Sequence, residues 1–253
     1  MPAGFGTAWS PGSPSRRSTQ LPIGYSPTDA WSGSMGLALS EGVCALTDAT
    51  AITTEAELEA LLGEPMEFVR MKVRDGLDDA MRTFIGHSPL VFISTIDEHG
   101  HVDVSPKGDP PGFVAVDDRG DLLIPERLGN RLTFGLRNIL RNGEVGMLFV
   151  VPTERETLRV KGRATLHHDP DVLDGMAVGG KPALMYTRVR VQECFFHCGK
   201  ALIRSGLWQP DSWGDPTRSL GARGFAALAG NPDETTVAAI SQRLEQSYCD
   251  ELY

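Results

Sequence analysis

The chain has 253 residues, 41% hydrophobic and 23% charged, with 24 Lys and Arg against 33 Asp and Glu. A net charge of -9 excludes a dedicated nucleic-acid binder, whose affinity rests on neutralising phosphates with Lys and Arg. No run approaches the roughly 18 apolar residues that a membrane helix needs, and no apolar signal core follows Arg16-Arg17, so the cytoplasm is the expected compartment.

Gly, Pro and Ser make up 18 of the first 36 residues. Such a stretch cannot bury enough apolar surface to offset its ordering entropy. Residues 1–45 are therefore expected to be a disordered tail, with Met35 a second candidate start, and 46–253 the folded domain. Thr54-Glu55-Ala56-Glu57 forms a capping box, with Leu58, Leu61 and Leu62 on one helical face behind it and Gly63 and Pro65 as its stop. Leu77, Met81, Phe84 and Ile85 predict a second helix, closed by Gly86 and Pro89.

Beyond Pro89 the pattern changes to short β segments. Leu90 to Ile96 and Val102 to Ser105 flank the turn Asp97-Glu98-His99-Gly100; Pro106 is expected to stop the ladder and free Ser105 and Lys107 toward a ligand. Phe113 to Val116 and Leu122 to Ile124 flank Asp117-Asp118-Arg119-Gly120. Leu132 to Leu140 reads as a helix, with Asn130 as a suitable N-cap residue. Val145 to Val151, Thr157 to Leu166 and Ala183 to Phe196 read as strands, and Lys200 to Leu207 as a short helix. Val237, Ile240, Leu244 and Tyr248 form the apolar stripe of a closing helix, expected to pack on the barrel. The sum is a mainly β fold with α additions, an antiparallel barrel. Neither G-x-G-x-x-G nor a Walker A pattern occurs, and there is no G-x-S-x-G.

One stretch opposes the acidic total. Arg127 to Gly143 holds Arg127, Arg131, Arg137 and Arg141 and no acid. A solvated helix face is the plain explanation, yet Arg127 and Arg131 precede the helix, where free backbone N–H groups and guanidinium together make an anion site. Arg137 and Arg141 then remain surface charges. Cys194-Phe195-Phe196-His197-Cys198 groups three zinc-type ligands, but structural zinc takes four, from paired segments, so no metal is expected. Lys200 and a helix start beside Cys198 leave a reactive thiolate open. His99, His101, His167 and His168 sit at turns and are expected to face solvent. Trp208 and Trp213 read either as core residues or as contacts to a partner subunit's ligand.

The segments Ile124-Pro125, Leu128-Gly129-Asn130-Arg131, Asn142-Gly143 and Glu154-Arg155-Glu156-Thr157, in this order and spacing, resemble the pyridoxamine 5'-phosphate oxidase-like FMN-binding split-barrel family. Ser105 to Asp109, Gly129 to Arg131 and Phe195 to Leu202 are similar to an uncharacterised FMN-dependent branch of it. The resemblance implies a Greek-key split barrel and a homodimer with flavins at the subunit interface. It places Asn130 and Arg131 in the phosphate loop, and Lys107, with Ser105, on the cofactor strand. Ile124 and Pro125 would offer main chain to the flavin ring, Thr157 a polar contact, and Trp208 a contact from the partner subunit. Arg127 joins by charge alone. Asp103 stands where the oxidase proper has arginine, and the oxidase's C-terminal Arg/His substrate motif is missing, so the substrate is an unidentified small molecule. The implied activity is FMN-dependent hydride transfer at flavin N5, with no residue assigned to acid–base catalysis. The alternative is a non-catalytic flavin, deazaflavin or haem binder on the same barrel, with His197 the candidate haem ligand.

Overall fold

A computed structural model of the chain describes residues 51–214 and 219–253; the expected tail and Cys44 lie outside them. The chain divides into two units, Met1–Gly63 and Glu64–Tyr253. In the first, helix α1 (Glu55–Leu62) starts at the capping box: the Thr54 hydroxyl accepts from Glu57 N–H, and the Glu57 carboxylate accepts from Thr54 N–H at 3.0 Å.

The second unit begins with α2 (Glu67–Arg70) and α3 (Asp79–His87), whose N-cap is Asp78. Seven strands follow: β1 (Leu90–Ile96), β2 (Val102–Gly108), β3 (Ala115–Val116), β4 (Leu122–Glu126), β5 (Glu144–Val150), β6 (Thr157–His167) and β7 (Met185–His197). All pairs are antiparallel, in the order β2-β1-β5-β6-β7-β4-β3. This is the expected mainly β fold. Alternating side chains of β1, β5 and β6 send Val91, Ile93, Val145, Met147, Phe149, Leu158 and Val160 inward. Met81 and Ile85 of α3 join them, so one face of that helix plugs the barrel. Burying a side chain such as Phe149 or Ile85 stabilises the fold by about 1.5–3 kcal/mol.

The barrel stays open between β2 and β4. Contrary to the expected stop at Pro106, β2 runs through it to Gly108, because β2 has a strand partner on one side only. Pro125 lies in β4 beyond the two residues that pair with β3. A proline on each of the two strands removes a backbone donor where a ladder would otherwise close. Side chains bridge the seam instead. The Lys107 ammonium pairs with the Glu126 carboxylate, and Arg127 Nε donates to Asp109 Oδ2 at 2.8 Å.

Helix α4 (Phe134–Arg141) lies over the end of β1. Asn138 Nδ2 donates to the buried Thr95 hydroxyl at 3.1 Å, and Asn142 Nδ2 to the Ile96 carbonyl at 2.7 Å. Helix α5 (Pro170–Gly175) precedes β7, and α6 (Lys200–Arg204) follows it. Helices α7 (Leu220–Leu228) and α8 (Glu234–Asp250) form a hairpin. Here the sequence expectation fails. The α8 stripe, Val237 with Ile240 and Leu244, packs on Ala222 and Ala226 of α7 and not on the barrel. Helix α7 is absent from the elements that the sequence predicts, which left the barrel as the stripe's expected partner. Trp208 and Trp213 also lie outside the core clusters; Trp213 is 57% exposed.

Candidate functional site

The seam opens into a cavity of about 520 Å³. Strand β2 supplies Asp103, Ser105 and Lys107; the stretch after β4 supplies Arg127, Asn130 and Arg131; the first turn of α4 supplies Phe134, Gly135 and Leu136. Five of the sequence-predicted residues, Ser105, Lys107, Arg127, Asn130 and Arg131, thus meet around one space. The two segments that the sequence analysis joined lie on opposite lips of the seam.

Two of the three cations are already held. Lys107 is paired with Glu126, whose residue is 4% exposed and whose other carboxylate oxygen accepts from the Thr187 hydroxyl at 2.8 Å. Arg127 also donates through Nη2 to the Met176 carbonyl at 2.7 Å, while its Nη1 is buried without a partner. The Tyr253 ring lies 5.8 Å from the Arg127 guanidinium, with its phenol beside Asp109. The neighbouring Asp109 carboxylate, then burial, hold the phenol above its ordinary range.

Arg131 is different. It is exposed, and its guanidinium has no hydrogen bond or ion pair among the described residues. Its backbone is left-handed, at φ 63°, and so is that of Thr133, at φ 54°. Strain of this kind in non-glycine residues is held only where the surroundings impose it, and it gathers at ligand loops. Asn130 is not the N-cap that the sequence suggested: its Oδ1 accepts from Leu132 N–H at 3.0 Å and closes the loop as a local turn. Thr133 occupies the N-cap position and makes no side-chain cap, since its hydroxyl instead accepts from Arg137 Nε at 3.2 Å. The first backbone N–H groups of α4 therefore stand uncapped at the cavity wall.

An acid stands there too. Asp103 Oδ2 is 3.5 Å from where a Cβ on Gly135 would sit, so the α4 side of the cavity is less positive than the Arg131 side. The cavity falls within the size range of small-molecule sites, and an uncommitted guanidinium, uncapped N–H groups and the orphaned Arg127 Nη1 fit a phosphate group.

The remaining predicted residues do not line this space. Ile124 and Pro125 are buried in β4, paired with Thr187 and Tyr186. Thr157 pairs with His197 at the far end of β7, roughly 40 Å along the strand from Met185 at about 3.3 Å per residue. Trp208 Nε1 donates to the Glu154 carbonyl at 2.7 Å, in the turn before Thr157. Thr157 and Trp208 thus form a second group, separate from the cavity. Sequence reasoning missed Glu126 and Tyr253, and quoted Asp109 only as the end of the Ser105 to Asp109 segment, without a role. A carboxylate at a strand end and a tyrosine 126 positions beyond the arginine under it carry no local signal.

Cys194 lies in the core, its thiol donating to the Gly76 carbonyl at 3.2 Å and raised by burial; Cys198 is exposed. No group of His, Cys, Asp and Glu side chains suited to a metal occurs among the described residues. His99, His101 and His168 face solvent as expected, whereas His167 stacks on Tyr186 at 5.2 Å. His197 is half-buried with Nδ1 unpartnered, and burial, then Arg159 and Lys72, hold its pKa below the usual value. No helix among the described residues is long and apolar enough to cross a membrane.

Fold and cavity define an antiparallel split barrel with a cation-lined opening at its seam. Residues 77–198 match the family model described as pyridoxamine 5'-phosphate oxidase, and the domain they form belongs to the pyridoxamine 5'-phosphate oxidase-like split-barrel family. Similar solved structures include HupZ of Group A Streptococcus, at 18% identity over 47% of this chain and 93% of that one, with a TM-score of 0.39. General Stress Protein 26 of Bacillus anthracis is 13% identical over 45% and 88% of the two chains, at 0.37. A structure described as F420 reductase is 19% identical over 48% and 98%, at 0.35. No curated protein sequence matches the chain.

Proposed function

We propose that the protein is an FMN-dependent oxidoreductase of the cytoplasm, acting on a small molecule as a homodimer. The observation that carries this reading is the free Arg131 guanidinium, held by a strained loop beside the uncapped start of α4 on a cavity of about 520 Å³. Arg131, the Asn130 loop and the α4 N–H groups would hold the FMN phosphate. Lys107 and Arg127, fixed by Glu126 and Asp109, would set the positive wall behind it. Bound flavin supplies the redox chemistry, exchanging hydride at ring N5, and the protein supplies anchoring, orientation and a shaped pocket. No side chain is assigned to proton transfer.

Two features support a dimer. The outer face of β2, β1 and β5 exposes Ile96, Val102 and Val104 beside a groove of about 790 Å³. Thr157 and Trp208, too far along β7 to reach their own chain's cavity, would serve the flavin of the second copy. The test is reconstitution: apoprotein mixed with FMN should acquire flavin absorption bands in one-to-one stoichiometry and elute as a dimer. Bound flavin should then be reduced by NADH or NADPH in a stopped-flow experiment. A protein that takes up no FMN overturns the cofactor assignment. Uptake without reduction by any donor leaves the flavin-binding alternative in its place.

A further inference from the structure

A second cationic site lies away from the seam, where β7 has β6 on one side and no strand partner on the other. Strand β4 pairs with β7 from Met185 to Val189, and the next partner on that side is the isolated bridge of Arg74 with Cys194. Between them, Arg190 and Val191 edge a cavity of about 390 Å³. The register of β7 against β6 also slips here, leaving Gln192 as an extra residue opposite Lys161 and Gly162. Such bulges re-aim side chains, and they gather near functional sites. Gly162 is required at the slip: a Cβ there would stand 2.2 Å from the Arg190 carbonyl oxygen.

Three arginines converge on this notch from three elements: Arg82 from α3, Arg119 from the β3–β4 turn and Arg190 from β7. None of their guanidinium groups has a hydrogen bond or ion pair among the described residues. The turn makes room for one of them. Gly120, at φ +85°, would carry a Cβ 3.2 Å from Arg82 Nη2, so the glycine serves both the turn and the arginine lying over it. Two carboxylates share the wall. Asp121 is committed to Arg188, whose Nε donates to it at 2.8 Å, and Asp75 is exposed without an ion pair among the described residues. Three free guanidinium groups therefore face one free carboxylate. Guanidinium forks match the oxygens of a phosphate bidentately, and the space exceeds a bare ion, with Leu77 and Val191 as apolar wall.

We propose that this notch binds the phosphate group of a small phosphomonoester. The proposal is independent of the flavin reading, since no residue lines both cavities. The test is calorimetric titration of the full chain with phenyl phosphate and, separately, inorganic phosphate. An Arg131→Ala background removes the seam's free arginine. One equivalent of phenyl phosphate should bind in that background, more tightly than inorganic phosphate. Arg190→Gln and Arg119→Gln, both at exposed positions, should each weaken it by about tenfold or more while leaving the melting temperature unchanged. Unchanged affinity in the double variant Arg119→Gln/Arg190→Gln overturns the site, as does absence of binding at millimolar ligand. Binding abolished by Arg131→Ala alone assigns the phosphate to the seam and also overturns it. Inorganic phosphate binding as tightly as the ester overturns the monoester and leaves a free-phosphate site.

Discussion

The seam cavity and the β7 notch are built on one plan with opposite emphasis. At the seam, Arg127 is pinned by Asp109 and Lys107 by Glu126, leaving Arg131 uncommitted. At the notch, Arg188 is pinned by Asp117 and Asp121, while its neighbour two residues on, Arg190, is uncommitted together with Arg82 and Arg119. In both places a buried or half-buried ion pair fixes the backbone and an exposed cation beside it is left for a ligand. The difference lies in what surrounds the free charge. The seam adds a strained loop, an uncapped helix start and a larger space; the notch adds only an open strand edge and more arginine. Pinned cations build walls, and their number says little about affinity.

The largest expected effect tests the pinned side. Glu126→Leu leaves the Lys107 ammonium, 24% exposed, facing a seam without its carboxylate. Removing one partner of a buried pair costs about 3–5 kcal/mol, whereas replacing both by apolar groups is close to neutral. Glu126→Leu should lower unfolding free energy in urea by about 3 kcal/mol, and Lys107→Met in the same chain should restore most of it. A double variant as unstable as the single one breaks the comparison, because the pair would then be more than a structural clamp.

Next comes the free side. Arg131→Ala should weaken FMN binding by about 1.5–3 kcal/mol, the scale of a hydrogen bond to a charged group, with no change in melting temperature. Fluorescence quenching of added FMN measures the first and thermal unfolding the second. An unchanged affinity refutes the phosphate assignment. A smaller effect of opposite sign is expected from Asp103→Asn. It removes the acid that faces α4's first turn, so FMN should bind tighter by about 0.5–1 kcal/mol at low salt, the scale of a charge near a helix start. Weaker binding on that substitution would place Asp103 among the groups that hold the flavin itself.

The strands and the seam loop were legible in the sequence because their signals are local. Alternation marks β1, β5 and β6, and the Asp-x-x-Gly turns mark the hairpins at Asp97 and Asp117. Legibility ends where the deciding contact is distant. Nothing near Arg127 says that Asp109, 18 positions earlier, will take it, and Arg188 meets its two acids across 67 and 71 positions. Asn130 looked like an N-cap because capping and loop-closing asparagines share the same residue preference; the left-handed Arg131 and Thr133 decided between them. Pro106 looked like a strand end because an edge position is a property of the whole sheet.

The smallest effect concerns pH, and it separates pinned from free charge at a third place. Beyond the notch, β7 ends at His197, where Lys72 and Arg159 both lie over the Phe195 ring, at 4.9 and 5.2 Å. Burial first, then these two cations, lower the His197 pKa from 6.5. Between that value and the lower folded one, the unfolded chain binds a proton that the folded chain does not. This contribution to stability is therefore intact above pH 6.5 and is lost as pH falls from there down through the folded value. His197→Gln should flatten that decline in a urea midpoint measured against pH. Arg159→Gln should shrink it without abolishing it, because desolvation remains. A decline untouched by His197→Gln would move the effect to another group and remove the evidence that the cations at this end of β7 lack an acid to pin them.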